Sequence, residues 1–410
     1  MEQLSQPLTL KCGLTLPNRL AKAAMAENMA DENNLPDKKF QVAYGKWAQG
    51  NWGMVLTGNV QVDAAYLGNF GETAVDPSIE TELRHAWKEW ASACNRNGTP
   101  TIMQLSHAGR QSPLGAGKRG LCTKTLAPSP IPLDMGGGLI AKALVPLIFG
   151  TPREMTLDDI NKVIQQFTYA ARQAVDAGFQ GVQIHAAHGY LLSQFLSAKG
   201  NKRTDEYGGS PSNRARLVVE VLRATREAVP ASFCVGIKLN SVDHQSQDEL
   251  KDCIEQLRMI VDAGVDFLEL SGGSWEDPKM MANTDQGLRE KSDRSKAREA
   301  FFLEFAKAIR HEFPSIPLMV TGGFRTRQGM RSALDSGDCD LIGIGRPAAL
   351  RPELPNDIVF NKNIADEEST LPTQNIKTPL LTKITGIRSV SSGAESFTDQ
   401  KDGRKLDVYV

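Results

Sequence analysis

Residues 184–216, IHAAHGYLLSQFLSAKGNKRTDEYGGSPSNRAR, bring His185, His188 and Tyr190 into one short stretch. Two imidazoles and a phenol can donate, accept and transfer protons. In an HxxHxY arrangement at a strand end, they suit a clamp for an anion or carbonyl oxygen with a proton donor beside it. Two histidines three apart also suit zinc. No cysteine or acidic third ligand follows at metal spacing, so no metal is expected. A second reactive residue is Lys238 in VGIKLN. A lysine in so apolar a run needs a partner or a solvent path, and it serves either as a local cation or as a Schiff-base nucleophile.

These residues must be positioned by regular elements. Apolar runs rich in β-branched residues predict strands at Ala21–Ala26, Gly53–Val60, Thr101–His107, Gly181–Ala187, Val235–Asn240, Phe267–Ser271, Pro317–Thr321 and Leu341–Gly345. Amphipathic stretches separate them. One helix is expected from Leu157 to Ala177, opened by Thr156 and stopped by Gly178; another starts at Pro211 and ends near Pro230. Eight such strands, apolar on both faces, predict an α/β fold, a (β/α)8 TIM barrel with an N-terminal β-hairpin cap (LTLKCGLTLPNRL) and a C-terminal extension. A doubly wound sheet is disfavoured because no GxGxxG follows an early strand. His185, His188 and Tyr190 then stand at the C-terminal mouth, where barrel active sites form. The long connections 108–156 and 272–292 leave strands on that same face. Gly136-Gly137-Gly138 before the apolar run Leu139–Phe149 suits a hinged lid or, equally, a subunit contact or a mobile excursion.

The balance of 47 Lys+Arg against 48 Asp+Glu, with no basic run, provides no field for nucleic acid or an anionic membrane. No stretch approaches the roughly 20 apolar residues of a membrane span. MEQLSQPLTL is not a secretory signal, and the six scattered cysteines form no metal or redox motif. A cytoplasmic protein with reduced thiols is expected. It would comprise a barrel over residues 1–355 and a tail over 356–410 that packs on the barrel or on a neighbouring subunit in a homo-oligomer.

The segment HAAHGYLLSQFLS…N.R.DEYGGS..NR.R resembles the Old Yellow Enzyme family of FMN-dependent ene-reductases. The blocks PNRL (17–20), GMVLTGNV (53–60), IMQLSHAGR (102–110), VTGGF (320–324) and IGIGR (342–346) occur in the family's order, so the resemblance spans roughly residues 4–350. It implies non-covalent FMN across the barrel mouth. The phosphate would lie against Gly322, Gly323, Gly345 and Arg346, and the ring would be edged by Ala24, Met25, Ala26 and Asn59. Gln104 would meet the pyrimidine edge, and Lys238 the N1–C2=O side, where negative charge gathers on reduction. The resemblance further implies that His185 and His188 hold the oxygen of an enone or nitroalkene, that Tyr190 protonates the α-carbon, and that NADH or NADPH reduces the flavin first in a ping-pong cycle.

Two positions depart from the family pattern. Ala26 stands where Thr or Cys usually bonds flavin O4, which predicts a potential lower by a few tens of mV for a lost bond of about 1 kcal/mol. Asn28 stands where several relatives carry a pocket tyrosine, so substrate preference does not transfer. With no cysteine after Cys339, the iron–sulfur chemistry of longer relatives is not expected. The competing readings are an FMN-binding barrel without turnover and a cofactor-free lyase built on Lys238.

Overall fold

The computed structural model describes residues 2–120, 122–135, 139–240, 247–272, 303–372, 394–398 and 405–409. Eight parallel strands form a closed barrel: β1 (Leu20–Lys22), β2 (Met54–Gln61), β3 (Thr101–Ser106), β4 (Gly181–Ala186), β5 (Cys234–Asn240), β6 (Phe267–Ser271), β7 (Leu318–Thr321) and β8 (Leu341–Ile344). Each pairs with the next, and β8 pairs with β1 to close the ring. All but the end of β7 is buried, as expected for parallel strands covered by helices outside and side chains inside.

The surrounding helices include α1 (Lys38–Gln49), α2 (Glu80–Cys94), α3 (Leu157–Ala177), α4 (Pro211–Ala228), α5 (Gln247–Asp262) and α6 (Arg327–Asp335), together with a helix whose described part runs 303–312. The ends of α3 follow directly from sequence. Thr156 and Asp159 form a reciprocal capping box, and Gly178 closes the helix at φ +96°. At the N-terminal end of the barrel, the antiparallel pair Leu8–Thr9 and Thr15–Leu16 drives Leu10 and Leu16 against Ala21, Met54, Ile102, Phe267 and Leu341. The hairpin therefore plugs that end and helps make the interior a packed core.

The first strand is shorter than its apolar run suggested. Its ladder stops at Lys22, which is fully buried and donates to Leu56 O at 2.8 Å with its ammonium 4.4 Å from the Trp47 ring centroid. Ala24–Ala26 follow outside the ladder. In β2 the register shifts between Leu56 and Asn59, a bulge that sets Asn59 opposite Gln104.

In the connection after β3, Leu139–Phe149 is helical; Val145 and Phe149 pack on Leu133 and Met135, while Leu147 is exposed. The glycines proposed as its hinge, and positions 273–292 of the connection after β6, lie outside the described residues. Beyond the barrel, the chain up to residue 372 folds back over α6. Arg327 donates to Ile358 O, Asn361 O and Ile364 O and pairs with Asp366 at 2.9 Å. No described helix is long and apolar enough to cross a membrane.

Candidate active site

Parallel register aligns the polar side chains at the barrel mouth. Asn59 pairs across with Gln104, Gln104 with Gln183, and His185 with Lys238, which in turn pairs with Glu269. Gln104 Nε2 donates to Gln183 Oε1 at 2.7 Å, and Gln183 Nε2 donates to Glu269 Oε2 at 2.7 Å. Lys238 Nζ stands 3.1 Å from Glu269 Oε1. The row is buried, and it gives Lys238 the partner that its apolar strand required. Gln183 and Glu269 were absent from the sequence-based site. Glu269 breaks the apolar run FLELS just as Lys238 breaks its own, and that was the available signal.

The turn after β4 carries the second group. His188 adopts φ +57° and Gly189 φ +76°, a left-handed pair that reverses the chain so that Tyr190 starts the short helix Leu191–Leu196. The His185 ring centroid lies 5.1 Å from that of His188 and 4.8 Å from that of Tyr190, both edge to face. The His185 Nδ1 accepts from Ala187 N at 3.4 Å, which leaves Nε2 to carry the ring proton, and His188 Nε2 lies 3.1 Å from Ser271 Oγ. Burial, and next the Lys238 charge, hold both imidazoles well below the ordinary histidine range. They are neutral hydrogen-bond donors at physiological pH. Burial, then the Glu72 charge, pushes the Tyr190 phenol upward, so it keeps its proton.

Tyr190 reaches β2. Asn59 Nδ2 donates to its Oη at 3.1 Å and lies 3.4 Å from Glu72 Oε1; Glu72 Oε2 accepts from Gln61 Nε2 at 2.8 Å and Gly68 N at 2.7 Å. Burial raises the Glu72 carboxyl to about 7. Glu72 was not singled out from sequence either: it sits in a polar loop with no spacing signal.

Ala24, Met25 and Ala26 line the segment after β1, which is held by Ala23 N bonding Ile344 O at 2.9 Å and by Glu27, which accepts from Gly58 N at 2.8 Å and from the Tyr44 hydroxyl. The neighbouring Asn28 is left-handed at φ +50°, and neither amide atom has a partner among the described residues. Next to this segment around the barrel, Gly322 and Gly323 follow β7 at φ +127° and +84°, and Gly345 and Arg346 follow β8, the strand that pairs with β1.

The donor types present suit the phosphate and ring of FMN. Gly322 and Gly323 turn the backbone through angles that side chains rarely allow, and Arg346 follows the neighbouring strand β8. The Gln104 amide and the Lys238 ammonium add donors of the types a flavin ring's polar edge takes. Among the described residues, Cys12, Cys234 and Asp266 converge at the opposite end of the barrel. Asp266 is already engaged there by Arg226 and Val235 N.

A parallel eight-stranded barrel with a polar, proton-handling mouth and a glycine–arginine corner defines a cofactor-dependent barrel enzyme. The model of the NADH:flavin oxidoreductase / NADH oxidase family matches residues 3–366, and the chain belongs to that family. It is a flavin-dependent oxidoreductase, with FMN as cofactor and NAD(P)H as reductant. It is 55% identical over 394 residues to an NADH-dependent flavin oxidoreductase, iliE, of Neonectria sp. (strain DH2), covering 94% of this chain and 51% of that relative. The chain thus spans about half the length of that protein. It is 50% identical to the NADH-dependent flavin oxidoreductase iccE of Talaromyces variabilis, covering 95% of this chain and 94% of the relative. The structure of the old yellow enzyme homologue from Zymomonas mobilis superposes with a TM-score of 0.70 at 24% identity, covering 94% of this chain and 99% of that one. The cofactor-free lyase is thereby set aside, in keeping with the use of Lys238 in an ion pair.

Proposed function

We propose that this oxidoreductase reduces the activated C=C bond of α,β-unsaturated carbonyl or nitro compounds in a ping-pong cycle. The observation that carries this reading is the convergence of two neutral imidazoles and a protonated phenol at one barrel mouth.

Gly322, Gly323, Gly345 and Arg346 would hold the FMN phosphate; Ala24, Met25, Ala26, Asn59, Gln104 and Lys238 would edge the ring. Once reduced by NAD(P)H, FMN supplies the hydride. His185 and His188 bind the substrate oxygen through N–H groups, draw electron density from the β-carbon that takes the hydride, and stabilise the negative charge that then gathers on that oxygen. Tyr190 delivers its hydroxyl proton to the α-carbon. Glu269 neutralises Lys238 and so moderates the positive field on the ring side.

An anaerobic two-step spectral titration tests the reading. NADH or NADPH should bleach the yellow protein, and 2-cyclohexenone should restore the colour. Bleaching without restoration, across a set of enones and nitroalkenes, would overturn ene-reduction while leaving flavin reduction intact.

A further inference from the structure

Glu72 is 3% exposed and carries a carboxyl group with no cation in ion-pair reach among the described residues. What faces it is neutral: the Asn59 and Gln61 amides from β2, the backbone N–H groups of Gly68 and Asn69 from its own loop, and the Tyr190 phenol from the turn after β4. Burying a carboxylate this way is unfavourable unless the charge has a use. Its bonding pattern suggests one.

An ionised carboxylate only accepts, so Asn59 must turn its NH2 group toward Glu72. That same group reaches Tyr190 Oη at 3.1 Å, so the phenol oxygen accepts there and its single O–H is left for another direction. We propose that Glu72 is the positioning residue for the proton donor: its carboxylate fixes the Asn59 amide so that Tyr190 accepts from Asn59 and presents its own proton to the barrel mouth. The inference rests on the proton-donor role of Tyr190 proposed above.

The converse state is equally well defined. A protonated Glu72 donates to Asn59 Oδ1, the amide turns over, and Tyr190 then gives its proton to that oxygen instead of to substrate. Glu72→Gln should lock this state. Gly68 N and Gln61 Nε2 both donate to one end of the side chain, so a glutamine places its oxygen there and its Nε2 against Asn59. His185, which also packs on Tyr190, is held toward its neutral form by burial and the Lys238 charge and does not drive the change.

Rapid mixing of the reduced holoenzyme with 2-cyclohexenone from about pH 5.5 to 8.5 should show the enone step falling about tenfold per pH unit below about 7. Glu72→Gln should be slow and flat, at the acid level of the wild type, and Tyr190→Phe slow and flat as well. A Tyr190→Phe enzyme as fast as wild type would overturn the proton-donor reading. A slow Tyr190→Phe with Glu72→Gln at the wild-type rate, or a flat wild-type profile, would overturn the proposal alone.

Infrared difference spectra provide a readout independent of turnover and of how the variant folds. The tyrosine C–O stretch, which separates an accepting from a donating phenol, should shift between about pH 8 and 6 in wild type but not in Tyr190→Phe. A wild-type spectrum with no such shift would overturn the proposal even if no enone is turned over.

Discussion

Glu72 also has a signature in folding stability. In the folded chain its carboxyl holds a proton up to about 7, against an ordinary value of 4.5. As pH rises from acid, the unfolded chain releases this proton first and is favoured by doing so. Stability attributable to Glu72 is therefore full below 4.5, falls as pH rises through the window to about 7, and is flat above it. Each pH unit between the unfolded and folded titrations is worth about 1.4 kcal/mol, so the loss between about pH 5 and 8 is about 2.5 kcal/mol. Glu72→Gln does not titrate, so whatever its fixed cost or benefit, the stability difference between variant and wild type should move by about 2.5 kcal/mol in the variant's favour over that interval. Urea unfolding of both holoproteins, followed by tryptophan fluorescence at saturating FMN, measures it. A difference that stays constant with pH to within about 0.5 kcal/mol would show that the carboxyl titrates normally, and the argument from its burial would fail.

Three further outcomes follow from the site. Glu269→Gln leaves Lys238 buried without its counter-charge and should cost about 3–5 kcal/mol of stability, measured by urea unfolding. The freed ammonium should also raise the flavin potential by about 30–65 mV, equivalent to one charge-assisted bond of about 1.5–3 kcal/mol; an unchanged potential would place Lys238 away from the ring. Ala26→Thr supplies a hydroxyl where the family usually carries Thr or Cys and should raise the potential by about 20 mV in a dye-equilibration titration; no change would remove Ala26 from the ring edge. Gly58→Ala places a methyl 2.0 Å from Glu27 Oε2 and 2.3 Å from Met25 O, so the edge Ala24–Ala26 must shift. A cost of about 1–3 kcal/mol in unfolding, with weaker FMN retention on dialysis, is expected, and wild-type values for both would refute the tight contact.

The barrel was legible because its strands are apolar on both faces and its helices carry their own punctuation. The ends of α3 were readable from Thr156, Asp159 and Gly178, since capping chemistry is local. The end of β1 was not. AKAAMA has no β-branched residue, and what stops the ladder is the bond of Lys22 to Leu56 O and its position over Trp47, contacts made across the fold. The convergence of His185, His188 and Tyr190 was readable from residue type and from their place at a strand end. Burial then added what type alone does not: both imidazoles are neutral donors, which suits a clamp for a carbonyl better than one for an anion.

The residues missed from sequence share a physical character. Glu269 and Glu72 act by fixing other side chains, Lys238 in one case and Asn59 in the other, and neither lies near its partner in the chain. Both are almost fully buried carboxylates, yet they meet opposite surroundings. Glu269 has an ammonium 3.1 Å away and accepts from Gln183, so its charge is compensated within the mouth. Glu72 has only amides and backbone N–H groups, so its charge is held by hydrogen bonds alone and can be lost near neutrality. A compensated pair provides a steady field where the flavin ring is proposed to lie, whereas a carboxylate poised near its titration point provides a switchable orientation beside the proposed proton donor. The two halves of the proposed reaction, accumulation of charge on the ring and delivery of a proton to carbon, would then be governed by different glutamates on opposite sides of the barrel mouth. Substitution of one should leave the other's readout in place.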